Sequence, residues 1–328
     1  MIRLGLQIPN FTYPGVDDAD LFEAVAGMAT AAERAGFDSV WVMDHFYQLA
    51  MLGEPGEPML ESYTLLGALA ARTTTARLGT LVTGVTYRNP AILAKQVTAL
   101  DVISRGRAVL GIGAAWFEAE HAALGVAFPP VGERMDRLEE ALQICRAMFR
   151  DERPTFKGRY YEVDGAINHP APVQAGGPPI LVGGQGEKRT LRLAARYADA
   201  VNLTSDRDQI PRKLDVLAKH SAEAGRDPAT INKTWLASAI VGSTPAEASE
   251  RRDTLMRRRG VEWSSLDEAT QQQLAARVLV GTPEQLAEAV LEVMGAGLDG
   301  VILNFPANGA DAAAVAAAGE AIRAALPA

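Results

Sequence analysis

Short apolar runs recur along this chain, separated by longer stretches in which apolar residues return every three or four positions. Eight runs stand out: Ile2 to Ile8, Val40 to Met43, Leu78 to Thr83, Ala108 to Ile112, Ile180 to Val182, Ala200 to Leu203, Leu236 to Val241 and Val301 to Leu303. The first alternates. Val40 to Met43 is solidly apolar, as a strand buried on both faces should be. The intervening stretches read as helices. Leu21 to Arg34 puts Leu21, Val25, Met28 and Ala32 on one face, and Gly36 follows as a stop. Asn89-Pro90 is an N-cap with proline in the first turn. Thr282-Pro283-Glu284-Gln285 is a capping box opening a helix through Met294. Thr190 to Tyr197, Ile210 to Ala224 and Ala310 to Leu326 complete the set.

Eight strands alternating with helices predict an α/β fold, a (β/α)8 TIM barrel, with a doubly wound open sheet as the other arrangement. The length of 328 residues favours the barrel, since about 250 suffice for one and insertions at the carboxyl ends of strands take the rest. A single domain over residues 1–328 is expected, with insertions at about 113–178 and 243–281. The first holds a long helix and then Thr155 to Val163, a small hairpin around Gly158. The second holds a charged helix, Glu247 to Arg259, and a glutamine-rich segment. Each reads either as a lid or as a plain surface excursion.

Composition narrows the function. Apolar residues make up 48% of the chain and the net charge is −8, which argues against a general nucleic-acid or anionic-membrane binder. Arg257-Arg258-Arg259 reads as a solvated helix face. The single cysteine, Cys145, sits at helical spacing from Ala141, Leu142 and Met148 and reads as a buried structural thiol. Arg3, Gly5 and Gln7 break the opening apolar residues, so no signal peptide is expected. No apolar run reaches membrane-spanning length. A soluble cytoplasmic protein acting on a small molecule is the expectation.

Chemistry gathers where strands end, because ligands bind at the carboxyl ends of strands in parallel α/β folds. The second strand runs into Asp44-His45-Phe46. A histidine there can donate a hydrogen bond or move a proton near neutral pH, with Asp44 orienting it, or it can be structural. His121, His169 and His220 have no metal-ligand spacing, so no metal site is expected. Gly183-Gly184-Gln185-Gly186 follows the fifth strand and opens a helix. It lacks the Gly-Lys-Ser/Thr of a Walker loop, yet it can bring backbone N–H groups to a phosphate. Gly111 to Ala115 leave room for a flat ligand or for tight packing, and Trp116 and Phe117 supply apolar walls. Thr83 to Pro90 is an irregular exit, either a bulge against a ring or a plain loop.

Trp41-x-x-Asp44-His45-Phe46, Tyr87-Arg88-Asn89-Pro90-Ala91, Ser104-x-Gly106-Arg107, Leu110 to Trp116, Ile180 to Thr190 and Gly281 to Gln285 together resemble the bacterial luciferase-like superfamily, in its branch of coenzyme F420-dependent oxidoreductases. The resemblance implies a deazaflavin ring in the barrel mouth, with hydride passing between its C5 and a stacked substrate. A non-prolyl cis peptide near Leu81-Val82-Thr83 would stand behind the ring. Asp44 would contact the cofactor. Gly183, Gly184, Gln185 and Gly186 would hold its phosphate, with Gly113, Ala114 and Thr204 nearby. His45 would be the proton partner, and Phe46, Tyr47, Trp116 and Phe117 the wall for a planar or hydrophobic substrate. The sugar-phosphate dehydrogenases of this branch carry glutamate where Trp116 stands, and a tryptophan near Tyr47-Gln48-Leu49, so their chemistry is not expected here. Glu118 and Glu120 are expected on the outer, helix side. The rival readings are an FMN-dependent monooxygenase and an inactive cofactor-binding barrel. A homodimer through the helices after strands two and three is implied as well.

Overall fold

The computed structural model describes residues 2–151, 153–276 and 278–326. Eight parallel strands form a closed (β/α)8 barrel: β1 (Leu4–Ile8), β2 (Ser39–Val42), β3 (Arg77–Thr80), β4 (Ala108–Gly113), β5 (Ile180–Gly183), β6 (Ala200–Leu203), β7 (Asn232–Val241) and β8 (Gly300–Asn304). Each pairs with the next, and β8 closes on β1 from Leu4↔Val301 to Gln7↔Asn304. Closure leaves no barrel edge with unpaired backbone groups.

The period of two along each strand divides the core. In β2, Val40 and Val42 join the layer packed on the helices, while Trp41 joins the barrel lumen with Ile2, Leu81, Val109, Leu181, Ala200 and Ile302. So large a side chain needs small neighbours. A Cβ at Gly79 would stand 2.8 Å from Trp41 Cζ3, and one at Gly5 would stand 2.9 Å from Trp41 Nε1. Val82 and Leu236, only partly buried, cap this layer and form the floor of the mouth.

The local signals act as expected. Asn89 accepts from the Ala91 N–H, and Thr282 and Gln285 form a reciprocal capping box. Gly36 takes φ +97°, a conformation that favours glycine. Cys145 is fully buried, and burial pushes its thiol up to about 12. The hairpin pairs Phe156–Lys157 with Glu162–Val163 around Gly158.

Three elements depart from the apolar pattern. The run Leu78 to Thr83 is not one strand: β3 stops at Thr80, the Leu81–Val82 peptide is cis, and Thr83–Gly84 then pairs with Ile112–Gly113 of β4. β7 starts at Asn232 rather than Leu236, because Asn232 to Trp235 pair with β6 below the apolar run. Its last four residues pair with an unforeseen parallel strand, Val278–Gly281, reached through helices Pro245–Arg258 and Glu268–Ala275.

Candidate active site at the barrel mouth

The exit of β2 carries the first functional group. Asp44 is 2% exposed, and its carboxylate receives Arg88 at 2.5 and 3.0 Å and the Ser62 hydroxyl at 2.6 Å. Expected to touch a cofactor, it lies sealed against Arg88. Burial pulls the Arg88 guanidinium down, but Asp44 outweighs this and holds it above its ordinary value. Arg88 also reaches Glu61 at 2.8 Å and lies over the Tyr63 ring.

His45 is held from elsewhere. Glu120, expected on the outer side of its helix, points inward with a fully buried side chain. A helix turns its side chains through every direction, and on the short helix Glu118–Leu124 it is Glu120 and His121 that are buried. The Glu120 Oε1 accepts the backbone N–H groups of Phe46 at 2.5 Å and Tyr47 at 2.8 Å. Its Oε2 meets His45 Nδ1 at 3.1 Å and accepts the Tyr87 hydroxyl. Burial pushes the carboxyl up, but these hydrogen bonds prevail and hold it below the usual glutamate range. Tyr87 is driven the other way by burial and the adjacent carboxylate, so it stays protonated. His121 stacks on Tyr87 at 4.4 Å and is tied to the Thr86 hydroxyl at 2.6 Å and the Phe117 carbonyl at 2.7 Å.

The aromatic wall forms around His45. Trp116 and Phe117 stand edge-on to the imidazole at 5.7 and 5.8 Å and stack on each other. Trp116 is 56% exposed. Phe46 instead packs edge-on against Tyr87, and Tyr47 is half-buried.

Across the mouth, the break in β3 is braced on both sides. Gln7 Nε2 donates to the Leu81 carbonyl at 3.3 Å and is itself oriented by Asn304 at 2.9 Å. The Thr83 hydroxyl sits between those of Thr80 and Tyr63, at 2.9 and 2.8 Å. The Val82 side chain fills the space between β4 and β5: a Cβ at Gly113 would come within 2.9 Å of it and one at Gly183 within 2.6 Å. At these glycines the structure shows tight packing on Val82. The same packing sets the β3 break beside the glycine turn.

That turn is built from backbone. Gly184 takes φ +129° and donates to the Asn202 carbonyl at 3.0 Å. A Cβ at Gly186 would lie 2.8 Å from Thr190 Oγ1. The helix Thr190–Tyr197 that follows has no side-chain cap. Beside it Gln185, Thr204, Ser205, Trp235 and Leu236 line a cavity of about 260 Å³, and the buried Ser205 hydroxyl has no partner there. The Asn304 Oδ1 is a second buried acceptor without a partner, beneath the mouth. A glycine cradle, an uncapped helix start and an orphan hydroxyl suit a phosphate-bearing group. Ala114 is half-buried beside Gly113 at the end of β4. A larger cleft of about 770 Å³ opens on the other flank among Asn10, Thr12, Glu57, Arg258, Arg259 and Asn308, walled in part by the inserted helix Pro245–Arg258.

Sequence reasoning missed Glu120, His121 and the partner role of Tyr87. The one local signal is that Glu120-His121 follows a strand end by seven residues, within a single turn of a short helix.

Solved structures share this architecture throughout. Monooxygenase RslO1 from Streptomyces bottropensis superposes with a TM-score of 0.82 over 98% of this chain and 99% of that one, at 23% identity. That likeness shows the (β/α)8 barrel fold. The chain belongs to the luciferase-like monooxygenase family, whose family model matches residues 2–300. It is 32% identical to the F420-dependent glucose-6-phosphate dehydrogenase of Kineococcus radiotolerans, over 86% of this chain and 87% of that protein. It is 35% identical to the F420-dependent hydroxymycolic acid dehydrogenase of Mycobacterium tuberculosis, over 67% of this chain and 59% of that protein.

Proposed function

We propose that this protein is an oxidoreductase that uses the deazaflavin coenzyme F420 to exchange hydride with a small planar or hydrophobic molecule. The observation that carries the reading is the joint placement of His45, the Leu81–Val82 break and the glycine turn on one mouth. Supporting it, relatives that share a third of their residues with this chain are named as F420-dependent. When bound, the deazaflavin supplies the hydride exchange. The chain's own residues do the rest. Leu81, Val82 and Thr83 back the ring, and Gly183, Gly184, Gln185 and Gly186 receive the phosphate, with Thr204, Gly113 and Ala114 alongside. Asp44 and Arg88 brace the exit of β2 beneath the ring. His45 moves a proton at Nε2 as hydride moves. Trp116 and Phe117 exclude water from one flank and favour a flat partner; Phe46 and Tyr47 extend that wall.

The FMN-dependent monooxygenase reading stands second, because RslO1 shares the whole fold. Titration with both cofactors separates the two: binding of F420 is expected, and binding of FMN with none of F420 overturns the choice. His45→Ala then tests the proton role. Turnover should fall about 10²–10⁴-fold, the usual worth of a general acid or base, with cofactor affinity little changed. Unchanged turnover would remove the histidine from the chemistry.

We also infer a homodimer. Ile92 and Ile103 on the helix Pro90–Ser104 are 61% and 55% exposed, and Ala99 lies between them on the same face, a stripe suited to a second copy. Sedimentation at micromolar concentration tests it. No helix among the described residues is long and apolar enough to cross a membrane.

A further inference from the structure

We propose that Glu120 is a positioning residue that sets the tautomer of His45, so that its Nε2 faces the mouth as a proton acceptor. This rests on the proton role given to His45 above.

An ionised carboxylate only accepts, with about four lone-pair directions between its two oxygens. Here all four are engaged: two by the backbone N–H groups of Phe46 and Tyr47, one by the Tyr87 hydroxyl and one by His45 Nδ1. The hydrogen bonds keep the carboxyl below its usual range, so it is ionised near neutral pH. A carboxylate that can only accept requires its partner nitrogen to donate. Neutral His45 must then carry its hydrogen on Nδ1, and the lone pair must lie on Nε2.

The alternatives on the ring do not compete. Trp116 and Phe117 meet the imidazole edge-on, 5.7 and 5.8 Å between centroids, and supply no acceptor for Nε2. The two backbone N–H groups matter equally. They belong to the residues that follow His45, so one carboxylate fixes both the ring and the chain that carries it. Tyr87 holds the far side of the carboxylate and is in turn stacked on His121. The hub therefore resists rotation of Glu120 away from the histidine. In the serine-protease triad, an orienting carboxylate plays the same part, and turning it into an amide presents the wrong tautomer at a loss of about 10⁴ in kcat.

Glu120→Gln is the near-isosteric test. The amide oxygen can keep the two backbone bonds, while its NH₂ now faces His45. The imidazole must answer with a lone pair on Nδ1, which moves its hydrogen to Nε2. Long-range proton–nitrogen NMR on the cofactor-free protein, labelled at histidine nitrogen, reads this directly, and His45→Ala identifies the signal. The wild type should show Nδ1–H and the Glu120→Gln variant Nε2–H. Tyr87→Phe, which leaves the carboxylate in place, should retain Nδ1–H. With a responsive substrate, Glu120→Gln should lower kcat by about tenfold or more, with KM for F420 nearly unchanged, while Glu118→Gln on the exposed face should not. An Nε2–H wild type overturns the proposal even if the Gln variant fails to fold. So does an unaltered tautomer in Glu120→Gln, or a switched one in Tyr87→Phe. Because the tautomer is read without cofactor, its outcome is independent of whether F420 binds.

Discussion

The exits of β2 and β5 lie on the same mouth and are built from opposite materials. After β2 the site is made of side chains: the Asp44 charge is matched by Arg88, and the Glu120 carboxylate is hydrogen-bonded by His45 and Tyr87, both acids being buried. After β5 it is made of backbone: Gly183, Gly184 and Gly186, a helix start without a cap and an orphan Ser205 hydroxyl. Matched buried charges hold one geometry, because losing a partner strands the other in a medium that solvates it poorly. A glycine turn owes its shape to what the missing Cβ allows, and leaves donors free for a guest. One exit is finished within the protein; the other, under the function proposed above, is completed by a ligand.

Several substitutions can break or sharpen this contrast. The largest effect is expected at Glu120→Ala, which leaves two N–H groups, a hydroxyl and an imidazole without their acceptor. A loss of about 3–5 kcal/mol in urea unfolding is expected, as for a broken buried pair. A loss under about 1 kcal/mol would show that water replaces the carboxylate and that the exit is not closed. Gly183→Ala tests the other side, where the new Cβ would lie 2.6 Å from Val82. Overpacking of this kind costs about 1–3 kcal/mol, and here F420 affinity should fall with stability, as isothermal titration would register.

Acid gives a smaller, signed test. The folded state holds Glu120 below its ordinary value, so the carboxylate contributes its full stability above the unfolded value of about 4.3. That contribution is lost as pH falls through the lowered folded value. Wild type should therefore outlast Glu120→Gln most at neutral pH, and the gap between their unfolding midpoints should close under acid. A gap that widened on acidification would reverse the assigned charge. Smallest is Thr282→Ala, a residue of neither exit, where loss of a helix cap costs about 1 kcal/mol. It should leave F420 affinity untouched, separating general stability from the site.

How much of this could be read from the chain differs between the two exits. The turn at 183–186 was legible as a turn, since glycines directly after a strand commonly make one, and so was the place of Asp44-His45 just beyond β2. Glu120 was not. Its sequence neighbours Glu118 and Ala119 are exposed, and nothing local distinguishes an acid on the buried face of a seven-residue helix from one on the wet face. The break in β3 was legible only through resemblance, because Leu81 and Val82 are as apolar as any strand interior. Val278–Gly281 was hidden because its pairing partner, the upper end of β7, is forty residues earlier.

The order of strands and helices, their caps, the buried thiol and the places where chemistry must gather are properties of periodicity and residue type, and these are written along the chain. Which acid serves His45, which arginine seals Asp44 and which glycines yield to Val82 were decided only on closure of the barrel. Closure sets residues 75 positions apart within a hydrogen bond of each other, and contacts of that kind depend on the direction of side chains in space, which a linear pattern does not record.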